Sequence, residues 1–208
     1  MSTAAPLTLE AAITPSRIGI PPPKAKKGGK GKKKGGDDES LPDFIAPEPK
    51  NAGERREWDR MSSRMEGFHS YFRQAFKQLW VLADGSFEKR GLSLQDFMEM
   101  ASEFVHHLEF HHGLEQAHIF PILAKRMSVF GEEHLEEHDA IHHGMEELES
   151  IIKRVRSNPS SYSPTELRTN LAAWGPILFY HLDAEVASLK PDVLRRYYTL
   201  EEVKRLPM

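Results

Sequence analysis

HHGLEQAHIFPILAKRM, residues 111–127, is the stretch whose reading decides the fold. A helix advances about 100° per residue, so positions i and i+4 stack on one face. Read as helix, His111 and Glu115 aim an imidazole and a carboxylate in one direction. Phe97, Met100, Phe104 and Leu108 lead into this pair at spacings of three and four, which puts it on the apolar stripe. Ser93 is placed to cap this helix, with Asp96 at the N3 position. Pro121 lacks a donor and should kink or end it, leaving Ile122–Met127 as a further turn.

The same spacing recurs on both sides of a pattern of four helices, over residues 54–83, 93–121, 131–155 and 163–190. The third offers His138 and His142, and the fourth His181 and Glu185. The first carries Trp58, Met61, Met65, Phe68, Phe72, Phe76 and Leu79 as an apolar stripe, with His69 within it. Ser163-Pro164-Thr165-Glu166 reads as an N-cap, a proline at N1 and a capping-box Glu, and Gly175-Pro176 as a kink. No segment alternates like a half-buried strand. The expected fold is all-α, an up-down-up-down four-helix bundle with a disordered N-terminal tail. The expected organisation is a Lys/Gly/Pro-rich tail over 1–52, the bundle over 53–191 and a short helical extension over 192–208.

His69, His111, Glu115, His138, His142, His181 and Glu185 are therefore expected to converge in the bundle centre. Buried without a partner, each polar group would cost roughly 1–3 kcal/mol, so the set points to metal. Five imidazoles and two carboxylates are too many for one ion and suit two, with the carboxylates bridging. The chain has no cysteine, which removes disulfides, iron–sulfur clusters and thiolate zinc sites. A nitrogen and oxygen donor set suits iron better than structural zinc.

Ten of the eleven histidines lie between His106 and His181, and not all of them belong to that set. His106, His112 and His143 sit about 100–140° from the ligand face and read as surface or satisfied core residues. His134 and His107 each lie one turn before a ligand and stay open. His118 lies seven residues after His111 and reads as a partner to a ligand or an added ligand. Glu115-x2-His118 has the spacing of ferritin-like sites, but those need a second such pair, and helix four has no histidine after His181. The runs Glu132-Glu133, Glu136-Glu137 and Glu146-Glu147 read as solvated faces.

His69, His111-x3-Glu115, His138-x3-His142 and His181-x3-Glu185 together resemble the hemerythrin family in its HHE cation-binding branch, over roughly residues 60–190. The quoted stretch is similar to that family's second helix, including the Phe-Pro after the ligands. The resemblance implies two non-heme iron ions, one held by His138, His142 and His181 and the other by His69 and His111. Glu115 and Glu185 would bridge them, and one ion would keep a position open for O2. Val186 stands where oxygen-transport members place Asp, and Glu185 follows the pattern of other members.

Residues 1–36 carry seven Lys and one Arg against Glu10, a charge of +7, while the whole chain is −3. Lys24–Lys34 reads as a flexible leader or as a nuclear-localisation or nucleic-acid-binding tail. No aromatics are interleaved for base stacking, so nucleic acid is expected at most as a weak partner of the tail. No apolar run of membrane-spanning length and no signal-type h-region occur, so no membrane partner is expected. The expected location is the cytoplasm, with the nucleus as the alternative. The expected function is iron and O2 binding, as a binder, store or sensor. The alternative is a di-iron oxygenase, oxidase or peroxidase acting on a small molecule, with Tyr71 and Tyr180 near the ligands.

Overall fold

The computed structural model describes residues 7–14 and 44–208. In chain order the helices are α1 (Leu9–Ile13), α2 (Ala52–Leu82), α3 (Leu94–Leu114), α4 (Phe120–Leu123), α5 (Glu133–Ser157), α6 (Pro164–Ser188), α7 (Pro191–Leu194) and α8 (Leu200–Val203). Among the described residues there is no strand, and no helix is long and apolar enough to cross a membrane.

Local chemistry fixes where three of the four long helices begin. The Asn51 side chain accepts from Glu54 N–H at 2.9 Å and starts α2. Ser93 and Asp96 form a full capping box at α3. Ser163 caps α6 ahead of Pro164, as its sequence suggests. Glu166 does not reach back to complete a box there; its carboxylate pairs with Arg154 on α5 instead.

Between α3 and α4 the chain makes a π turn, Glu115–Ile119, in which Phe120 N–H donates to Glu115 C=O. Pro121 follows directly and has no N–H to give, so the wider turn takes up the break that the proline imposes. Pro176, by contrast, lies inside an α6 that runs unbroken to Ser188.

Helix α2 packs on α3 and α6, and α5 packs on the same two, so the long helices close a ring. Short connections make successive members antiparallel neighbours, the up-down-up-down bundle. Close approach of α5 to α6 depends on Gly144, where any Cβ would overlap Trp174.

Two apolar clusters fill the interior. One holds Phe72, Phe76, Phe104, Leu108, Leu148, Trp174 and Leu178. The other holds Trp58, Met61, Met65, Phe120, Leu123, Phe130 and Leu189. Each fully buried large side chain contributes about 1.5–3 kcal/mol. The second cluster is closed by α7, α8 and the turns after each, which bring Leu194, Tyr198, Val203 and Leu206. Arg60 fastens this end by donating to Val203 O at 2.6 Å and Leu206 O at 3.1 Å.

Two described parts of the stretch read as a disordered tail are ordered against the bundle. Helix α1 lies on α6, with Ala12 fully buried and its carbonyl where a Cβ at Gly175 would fall. Leu9, Ala12 and Ile13 share one face over a bare glycine, enough apolar contact to dock a single turn. Ala46 N–H donates to Arg195 O at 2.8 Å, and the Arg195 guanidinium donates back to Ala46 O. The Lys24–Lys34 run lies outside the described residues.

Candidate metal centre

Between the two clusters lies a layer of buried polar side chains. It replaces one turn of each apolar stripe: His69 between Met65 and Phe72 on α2, His138 before Ile141 on α5, and His181 and Glu185 between Leu178 and Leu189 on α6. His111, His112 and Glu115 come from the junction of α3 and the π turn.

Six of the seven candidate ligands converge in this layer. His69 Nε2 lies 3.2 Å from Glu185 Oε2, and His111 Nε2 3.0 Å from Glu115 Oε1. Glu115 Oε2 faces the other way, 3.5 Å from His138 Nε2. His138 Nε2 and His181 Nε2 are 3.1 Å apart, and Glu185 Oε2 is 3.7 Å from His181 Nε2. The donors fall into two overlapping groups: His69, His111, Glu115 and Glu185, and His112, Glu115, His138 and His181. Each glutamate thus reaches toward imidazoles of both groups.

His142 is the seventh, and it does not enter either group. It is half-buried, edge-on to His112 at 5.4 Å. His112 stands inside instead, fully buried and stacked on His138 at 3.7 Å. The single-face reading set His112 aside because it lies 100° from His111. Helix α3 touches both α2 and α5, so two of its faces look inward: His111 toward His69 and Phe72, His112 toward His138.

His118 is exposed. The extra residue in the π turn rotates it off the face it would share with His111 in a regular helix. His106, His107 and His143 are exposed as well, and Asp183 points outward to Arg73.

The supporting contacts choose which nitrogen of two of the rings, His69 and His181, is free. His69 Nδ1–H donates to Leu182 O at 2.8 Å, leaving Nε2 for the centre. His181 Nδ1–H donates to Glu137 Oε2 at 2.8 Å, again leaving Nε2. The same carboxylate oxygen accepts from His134 Nδ1–H at 2.8 Å. The Gln116 amide lies 3.1 Å from His138 Nδ1 and presents either oxygen or nitrogen by a half-turn. Glu137, read as part of a solvated face, is thus a half-buried partner; its i,i+3 relation to His134 and its place beside His138 are the available signals.

Electrostatics set the protonation states. Burial lowers the pKa of His69 to about 2, aided by His111 and His181, and that of His111 to about 4. His112, His138 and His181 are lowered too, chiefly by burial. Burial raises Glu115 and Glu185 well above the usual carboxylate range, and the charge of Glu115 adds to the shift of Glu185. Burial would also raise Glu137, but the hydrogen bonds from His134 and His181 outweigh it and hold that group at about 2. At neutral pH the layer offers neutral imidazole lone pairs beside carboxyls that lack a cation.

Whether a cation fits can be read from the polar atoms left without partners. Among the described residues, the buried side-chain nitrogens and oxygens with no hydrogen bond are His69 Nε2, His111 Nε2, both nitrogens of His112, both oxygens of Glu115 and of Glu185, and Tyr198 Oη. All but the last belong to the two donor groups. Native interiors rarely leave such atoms unmatched, and coordination would satisfy all of the donor-group atoms but the second nitrogen of His112, so this buried His/Glu cluster fits a metal site.

Searches among curated proteins and among solved structures return no match. The family model described as the hemerythrin HHE cation binding domain matches residues 60–193, most of the chain and the whole of the polar layer. The chain belongs to the hemerythrin family of HHE cation-binding domains.

Proposed function

We propose that the polar layer holds two iron ions and that the chain serves as an iron and O2 binder, store or sensor. The carrying observation is the coincidence of the unpartnered buried atoms with the two donor groups. In this reading His69 and His111 hold one ion (the α2 half-site). His138 and His181 hold the other (the α5 half-site), with His112 as third imidazole in place of His142. Glu115 and Glu185 span the two. A non-heme iron pair supplies a redox-active centre able to take up a small ligand such as O2.

The protein's part is to keep that centre dry and its rings oriented. His69 and His181 are turned by Leu182 O and Glu137, and their side chains are fully buried. Phe72 and Phe120 flank the layer, packing on His111 and His138.

The test is metal analysis with an absorption spectrum of the protein as isolated, then after reduction and reoxygenation. Two irons per chain and an oxo-bridged band that returns with air are expected. Protein without iron or without that band would remove the reading. Among variants, Glu115→Ala and His112→Ala should lower the iron content while His142→Ala leaves it; the reverse pattern restores His142 as the ligand.

A second reading, turnover of a small molecule, is favoured by one contact. Tyr71 Oη lies 2.8 Å from His107 Nδ1, and its ring meets Phe72, which packs on His111. Sustained O2 consumption with product release would support it over a stable, reversible spectrum.

A further inference from the structure

The two half-sites differ in donors, in backing and in access. The α5 half-site gathers three imidazoles to the two of the α2 half-site. Imidazole suits ferrous ion, whereas carboxylate suits harder ions such as magnesium and calcium, so the added imidazole strengthens that side. The backing differs in charge. His181 donates to the Glu137 carboxylate, whereas His69 donates to the neutral Leu182 carbonyl, each at 2.8 Å. A ring that donates to an anion is the more basic ligand. Glu137 is itself fixed by His134, so its oxygen stays on His181. Access differs at one ligand: the His111 side chain is 11% exposed, while those of His69, His138 and His181 are 0%.

We propose that the α5 half-site keeps its ion while the α2 half-site exchanges its own with the surroundings, so the chain passes between one-ion and two-ion forms as ferrous ion becomes scarce or plentiful. Glu137 is the positioning residue that sets the difference, acting through His181. This rests on the iron-pair reading above and adds to it a direction of loading and release.

The full chain, loaded with ferrous ion under argon, is mixed with excess ferrous chelator and the release followed by absorbance. Two phases of equal amplitude are expected. Glu137→Gln, which keeps the shape and removes the charge, should speed the slow phase about 10–100-fold and leave the fast phase alone. A merely structural loss would speed both. His111→Gln should delete the fast amplitude and spare the slow one. Uptake of two ions that leave in a single phase overturns this proposal and leaves the iron pair standing. An unchanged slow phase in Glu137→Gln, or loss of the slow phase in His111→Gln, overturns it too. A chain that takes up no ferrous ion overturns both readings.

Discussion

The apolar clusters and the polar layer between them both lie in the interior and hold the bundle in opposite ways. Phe76, Phe104 and Trp174 pack ring against ring and need nothing from outside the chain. The layer of His69, His111, His112, Glu115 and Glu185 is left with unmatched nitrogens and oxygens. The first kind of interior makes the fold; the second is tolerated because the first surrounds it, and it turns stabilising only when a cation enters. A bundle core can thus carry a site whose cost is spread over the helices on either side of it.

Loading the metal should change the layer most. With ferrous ion at about a thousand times its dissociation constant, each bound ion adds roughly 4 kcal/mol. For a chain of this size that is a rise in melting temperature of roughly 8–16 °C per ion. An unchanged melting temperature at saturating ferrous ion would erase the contrast between layer and clusters.

Phe76→Ala acts on a cluster instead. It should cost about 3–5 kcal/mol in chemical denaturation, yet the folded variant should still bind two ions per chain. Loss of binding in a well-folded Phe76→Ala protein would mean that the regions are not separable.

Glu115→Leu acts on the layer without metal. Removing two unpartnered buried oxygens should stabilise the metal-free chain by about 1–3 kcal/mol while iron uptake is lost. A metal-free variant less stable than its parent would show that the layer is satisfied without an ion.

The smallest effect is that of pH, worth about 1.4 kcal/mol per proton per pH unit. The lowered imidazoles bind fewer protons folded than unfolded. Their stability is present above pH 6.5 and is lost as pH falls through about 4 at His111 and toward about 2 at His69. The raised Glu115 and Glu185 act oppositely: their stability is present below 4.5 and is lost as pH climbs through their folded values. Binding should release these carboxyl protons, so affinity rises with pH. Calorimetry in buffers of different ionisation heat measures that release, and none would count against protonated carboxyls in the metal-free layer.

The four long helices were legible because their apolar stripes are local, as are two of their caps: Ser93 and Ser163 sit at the starts observed. Six of the seven candidate ligands fall together for a similar reason, since i,i+4 spacing is a property of one helix. What depends on neighbouring helices was not legible. His112 points inward only because α3 has two buried flanks, and Glu137 is a partner only because α6 brings His181 to it. The π turn that sends His118 outward shows in the sequence merely as a proline one turn later. Helix α1 depends on a bare Gly175 more than 160 residues away, a match no local pattern announces.

The most direct test of a cation-dependent layer is native mass spectrometry of the full chain with saturating ferrous ion under argon, beside Glu115→Ala. Two iron additions per chain are expected, with at least one lost in the variant. A chain that stays metal-free, or a variant that still carries both ions, would contradict the assignment of this layer.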